Sequence, residues 1–282
     1  MSAQAWLLLG VQISILATVF CFGLQATPHD ALHLLRHRSL FLRSLLSMFV
    51  AMPVAALLIV GLFELSKPTE IVLVALAISP IPPLLPRKEG NAGGHAAFAL
   101  ALMFTMALLA IVIVPLASQI LSYCFDRPFA MNAWAVAKVV LLMIAAPLLA
   151  GMAVRAWWPA VVPVLLRPLK IIATVLLVVS VLVIIVAMTP TLVKLARDGT
   201  LLALLAFVLI GLIAGHWLGG PVSQERSVLA LSTASRHPAI ALAIAKGNFP
   251  DEPYLAATIV LYLLVATVVA VPYVKWRRRS QA

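Results

Sequence analysis

The chain has 282 residues, 64% hydrophobic and only 10% charged, with a formal net charge of +11. A water-soluble domain carries roughly a quarter charged residues, so no soluble surface can be built here, and a soluble enzyme or nucleic-acid binder is excluded. The two cysteines, Cys21 and Cys124, have no disulfide-framework or metal-ligand spacing and read as packing residues.

Nine apolar runs follow in order: Trp6–Leu24, Leu40–Phe63, Ile71–Leu85, Ala96–Leu121, Ala133–Val154, Ile171–Met188, Leu201–Leu218, Val228–Ala245 and Tyr254–Val274. Each approaches the roughly 20 residues that cross about 30 Å of hydrocarbon. The first run lacks the basic leader and small-residue cleavage site of a signal peptide, so it counts as a span. Between the first two runs, Pro28 to Arg43 is basic and amphipathic, suited to the membrane surface. The expected fold class is therefore an all-α polytopic membrane protein, one transmembrane domain over residues 1–282.

Basic residues orient it. Alternating the chain ends places thirteen Lys and Arg on one side: Arg36, Arg38, Arg43, Arg87, Lys88, Arg155, Arg167, Lys170, Arg226, Lys275, Arg277, Arg278 and Arg279. Five lie on the other: Lys67, Arg127, Lys194, Arg197 and Lys246. The richer side is cytoplasmic, giving an outside N-terminus, an inside C-terminus and a multi-pass plasma-membrane protein (the inner membrane in a bacterium). Lys138, near the outer end of the fifth run, snorkels. Its basic ends meet membrane lipid, not nucleic acid.

Two runs are interrupted. The third contains Ser79, Pro80, Ile81, Pro82 and Pro83, and prolines so spaced remove donors and clash with the preceding turn. The eighth contains Ser232, Thr233, Ser235, Arg236, His237 and Pro238. Breaks in runs three and eight, five apart, lie in helices of opposite direction, as an inverted repeat produces. The halves are about 1–121 and 131–275. Interrupted helices at matching positions point to a transporter binding site.

All nine acidic residues fall in loops or at span ends. Arg236, ten residues from both Arg226 and Lys246, is thus a lone guanidinium near the midplane. Such a group faces a cavity or a partner. It either binds an anionic substrate through its fork or ties together the unwound backbone of the two breaks. His237 either carries a proton or rests neutral in the crossing. The hydroxyls of Ser232, Thr233 and Ser235 either line a cavity or bond back to their helix. Met103, Phe104 and Met106 read as packing or lipid-facing residues. The candidate substrate site comprises Arg236, His237, Ser232, Thr233, Ser235, Ser79, Pro80, Pro82, Pro83 and Pro238. No catalytic residue, metal or cofactor is expected.

The stretch STASRHPAIALAIA, Ser232 to Ala245, followed by an apolar span and basic tail, resembles the second crossover of the bile acid:sodium symporter family. Gly23-Leu24, the mid-helix Pro53, the proline-rich third run and Pro115 are similar too. The resemblance covers nearly the whole chain. It implies nine or ten helices, a panel and a core domain, two broken helices crossing at the midplane, and sodium-driven alternating access for an organic anion. It also implies a Glu at position 232 and a Gln at 236 as main sodium ligands, the Gln followed by an Asn, where this chain has Ser232, Arg236 and His237. The family's Gly-Gly and Ser-Asn are replaced by Ile81-Pro82 and Leu85-Pro86. Two hydroxyl ligands align with Met103 and Ala107, with Thr105 nearby.

The expectation is a secondary transporter of a small carboxylate-type organic anion with degenerate sodium sites. Rivals are an arsenite- or auxin-type efflux carrier, although neither cysteine lies near a break, and a membrane sensor retaining the fold. An intramembrane enzyme would need deep nucleophiles, acids or metal ligands. Substrate, direction, coupling ion and oligomeric state have no signature in the sequence.

Overall fold

A computed structural model describes residues 3–280 except 32 and 126–132. Asp126 and Arg127 lie outside the described residues, and so does the side chain of Cys124. The described elements are all helical: α1 (Ala3–Gln25), α2 (Pro28–Ala31), α3 (His33–Arg36), α4 (Arg38–Leu62), α5 (Lys67–Ile78), α6 (Leu85–Asn91), α7 (Ala96–Phe125), α8 (Ala133–Trp157), α9 (Val162–Arg197), α10 (Thr200–Leu218), α11 (Ser223–Ala234), α12 (Pro238–Asn248) and α13 (Leu255–Arg279).

Among the described residues, seven helices are long and apolar enough to cross a membrane: α4, α7, α8, α9, α10, the α11–α12 segment and α13. The other two expected spans fall short of that measure for different reasons. α1 runs Ala3–Gln25, and the apolar stretch of it that the described residues cover is Leu9–Gln25. The third run is split into α5 and α6 by the proline-rich turn.

The two split helices are also the most deeply packed. Every residue of α5 from Ile71 to Ile78 is buried, as is every residue of α11 from Ser227 to Ala234. An element apolar on all sides belongs inside, and only there can other protein groups meet the polar backbone that a break sets free. By contrast α9 exposes apolar side chains such as Ile171, Val175, Val179, Leu182 and Val186, the surface a lipid-facing helix presents.

Prolines shape the intact spans too. α4 has a π-helical segment at Leu46–Ala51 just before Pro53, and α8 has one at Leu141–Ala145 just before Pro147. A proline lacks the N–H that closes the regular turn and its ring crowds the carbonyl below. One wider turn relieves both and leaves carbonyls turned aside.

Helix pairs pack closely within this arrangement. α1 lies along α8 and α9, while α10 lies along α11, and α13 touches α5, α9, α10 and α12. Small residues permit the closest approaches. A Cβ at Gly23 would lie 2.9 Å from Gly151 Cα, across the contact of α1 with α8. One at Gly211 would lie 2.7 Å from Ala234 Cα, and one at Gly215 2.6 Å from Ala230 Cα, across the contact of α10 with α11.

The basic segment after α1 folds as α2 and α3 against α7. It brings three imidazoles together: His33 is 4.4 Å from His37 and 5.0 Å from His95, centroid to centroid. Burial, then the neighbouring His37, His95 and His29, hold the His33 ring below its ordinary value; Asp30 opposes them. A depressed folded value contributes stability at neutral pH that is lost as pH falls. Amide exchange in residues 33–37 should therefore quicken as pH drops from about 7.5 to about 5.5, after correction for intrinsic rates. His33→Gln should remove that dependence; an unchanged dependence in this variant would place the effect elsewhere.

Candidate functional site

The two interruptions meet. The His237 N–H donates to the Pro80 carbonyl at 2.8 Å, joining the break of the third run to that of the eighth. The prolines set this up. Pro80, Pro82 and Pro83 stop α5 at Ile78, and Pro238 opens α12 as its first residue. Ser79 closes α5 by donating both its N–H and its hydroxyl to the Leu76 carbonyl. Pro82 accepts from the Leu85 N–H at 3.1 Å, turning the chain into α6.

Arg236 is wholly buried. Its guanidinium donates to the Ser79 carbonyl at 3.0 Å and to the Met48 carbonyl at 2.7 Å. The first is a carbonyl of the break, the second one of the π-helical turn of α4. Its backbone N–H donates to the Tyr262 hydroxyl at 2.6 Å, which in turn donates to the Ala234 carbonyl at 3.0 Å. Thus α13 caps the break in α11–α12 through one tyrosine. Thr233 donates to the Leu229 carbonyl and shares a 2.7 Å hydroxyl contact with Ser47. Ser235 is buried beside them.

Two donors at the crossing remain without a partner among the described residues: Arg236 Nε and His237 Nε2, both buried. His237 Nδ1 accepts from the Ile240 N–H at 3.4 Å, so the ring proton sits on Nε2. Buried donors are seldom left unmet. Two adjacent residues with one each provide what an oxygen-bearing ligand or water would satisfy.

Ser232 turns the other way. Its hydroxyl donates to Glu89 Oε1 on α6. Glu89 is only 1% exposed, contrary to the reading of every acidic residue as a loop or span-end group. The physical reason is that the chain resumes a helix after the break, so α6 packs against α7, α11 and α13 instead of leaving as a loop.

A cavity of about 360 Å³ opens between α1, α6, α7 and the start of α9. Its polar lining includes Thr18, Gln25, Asp30, Arg87, Asn91 and Lys170. Lys170 Nζ donates to Gln25 Oε1 at 3.0 Å, and Arg87 to the Thr174 hydroxyl at 2.8 Å. Neither cation is in an ion pair among the described residues. The crossing residues do not line this cavity; Arg87, Gly90 and Asn91, which do, follow the first break directly.

Sequence reasoning thus missed Glu89, Tyr262, Ser47 and the cavity residues. A signal existed for two: Tyr262 is a polar aromatic in mid-span, and Glu89 lies ten residues after Ser79. Met103 and Met106 are fully buried packing residues. Lys138 is exposed. Among the described residues no cluster of His, Cys, Asp or Glu could hold a metal ion.

A family model described as the Sodium Bile acid symporter family matches residues 12–195, about two thirds of the chain. A comparison with curated proteins gives no match.

Proposed function

The chain belongs to the sodium bile acid symporter family, and on that premise we propose that it is a secondary transporter of a small carboxylate-type organic anion. The observation that carries the reading is the pair of unmet donors, Arg236 Nε and His237 Nε2, at a crossing of two broken helices. An anion would be drawn first to Arg87 and Lys170 in the cavity and then exposed to the fixed charge of Arg236. The hydroxyls of Ser232, Thr233 and Ser235 and the breaks at Ser79–Pro83 and Pro238 would shape that path.

In this reading α1 and the split α5–α6 complete nine spans, with the N-terminus outside and the C-terminus inside. The halves, about 1–121 and 131–275, form an inverted repeat. Rocking of the α1–α8–α9 group against the rest would alternate access, with the cavity at their junction. Sodium is not the coupling ion: at position 236 a buried cation would repel it, and Ser232 spends its hydroxyl on Glu89. An efflux carrier of the arsenite type gains no support, since Cys21 lies on α1 and not on either broken segment.

Protein reconstituted in liposomes should catalyse counterflow of at least one member of a carboxylate panel, equally with sodium or with choline outside. Arg87→Ala and Lys170→Ala should each raise the half-saturating concentration about ten- to a hundredfold, the loss of one charged hydrogen bond. Absence of flux for every carboxylate would favour a non-transporting sensor, and strong sodium dependence would overturn the claim of degenerate sodium sites.

A further inference from the structure

Resting on that transporter reading, we propose that Glu89 is a proton-binding site that couples anion movement to the pH gradient. The side chain is a carboxyl buried to 1% exposure in the packed interior. Among the described residues it makes no ion pair, and its side-chain hydrogen bond comes from the Ser232 hydroxyl. An isolated ionised carboxylate is costly to bury, and the usual escape is to take up a proton.

The charged and titratable groups on the surrounding elements either bond to other groups or lie towards helix ends, as do Glu225 on α11 and Lys275, Arg278 and Arg279 on α13. On its own helix, Lys88 Nζ donates to the Ala266 carbonyl at 3.1 Å and Arg87 to Thr174. From α11, Glu225 and Arg226 lie in the first turn, and Arg226 donates to the Gly220 carbonyl. Arg236, just beyond α11, faces Ser79 and Met48. From α13, Tyr262 caps the break, Tyr273 meets His216, and Arg277 reaches Ser223 and Ser227. The described part of α7 carries no charged side chain, and His95 before it stacks with His33.

Position supplies the coupling. Glu89 sits between Arg87 and the pair Gly90–Asn91, all three in the cavity wall, and bonds across to the broken eighth span at Ser232. Ionised Glu89 would oppose an anion in that cavity; protonated Glu89 would not. One proton taken up by the carboxylate and one monovalent carboxylate then move together without net charge. Sodium fits the place poorly, because a hard cation needs several oxygen ligands and Glu89 has one hydroxyl beside it.

The test uses the full chain in liposomes with a pH-sensitive dye inside. An inward proton gradient should drive accumulation of a transported carboxylate and acidify the lumen. Its apparent affinity should rise about tenfold per unit fall in pH above the Glu89 midpoint. Glu89→Gln should lose gradient-driven accumulation while counterflow persists. Ser232→Ala, which removes a donor to the ionised form, should move the midpoint to higher pH. Infrared spectra of the purified protein should show a protonated-carboxyl band that titrates and is absent in Glu89→Gln. Counterflow indifferent to pH, accumulation driven by sodium alone, or a Glu89→Gln protein that still follows the pH gradient would overturn the proposal. If the wild type carries no carboxylate at all, the transporter reading fails first. The infrared band then decides whether Glu89 binds a proton, and its absence overturns that too.

Discussion

Arg236→Gln should silence transport and loosen the protein at once. The guanidinium ties three elements together by donating to the Ser79 and Met48 carbonyls, while its Nε faces no protein acceptor among the described residues. Two charged hydrogen bonds of about 1.5–3 kcal/mol each are lost. Relief from holding a cation in the membrane interior returns roughly 2.5–3.5 kcal/mol. At mid-range values the bonds win by a small margin, a net destabilisation of about 1.5 kcal/mol, which a melting curve of the purified protein would read.

Function should suffer more than stability. Losing the Nε contact to an anion costs a further tenfold to hundredfold in affinity, and the crossing itself is displaced. Arg236→Lys separates the two effects. It keeps the charge but not the fork, so carboxylate counterflow should survive in part while the melting temperature still falls. Wild-type counterflow in Arg236→Gln would reduce this residue to a strut.

Gly215→Ala should loosen the packing of α10 on α11 and lower transport with it. The added carbon would lie against the Leu229 carbonyl oxygen and 2.6 Å from Ala230 Cα. Both are backbone atoms of α11, which cannot swing aside as a side-chain tip would. The helices must separate, at about 1–3 kcal/mol for overpacking, or roughly 2–4 °C of melting temperature per kcal/mol. Because α11 carries Ser232, Thr233 and the approach to Arg236, transport should fall with it. Gly61→Ala is the control: nothing lies within 4 Å of its Cβ position on α4. Alanine is the better helix former there, so its melting temperature should hold or rise slightly. Equal behaviour of the two variants would refute the close-packing argument.

How much of the site could be read from residues alone differs by group. Pro80, Pro82, Pro83 and Pro238 marked both breaks, because a missing N–H and a clashing ring act on the chain's own neighbours. Arg236 stood out because a cation amid apolar sequence is rare. Its partners were not legible. Ser79 is 157 residues away in sequence and Met48 188, and nothing in either residue type announces a carbonyl awaiting a guanidinium. Glu89 was misplaced for a related reason: next to Arg87 and Lys88 it reads as a charged loop, and only the return of α6 into the packed interior buries it.

Composition and the length of the apolar runs were enough to establish a multi-pass helical membrane protein with two interrupted spans, since hydropathy and proline geometry are local properties. The tertiary structure alone decided which breaks touch, which carbonyls Arg236 satisfies, where Glu89 meets Ser232, and that a basic-lined cavity opens beside α6. Those outcomes depend on contacts between residues far apart in the chain, which are set by how whole helices pack and leave no trace in any short stretch of chain.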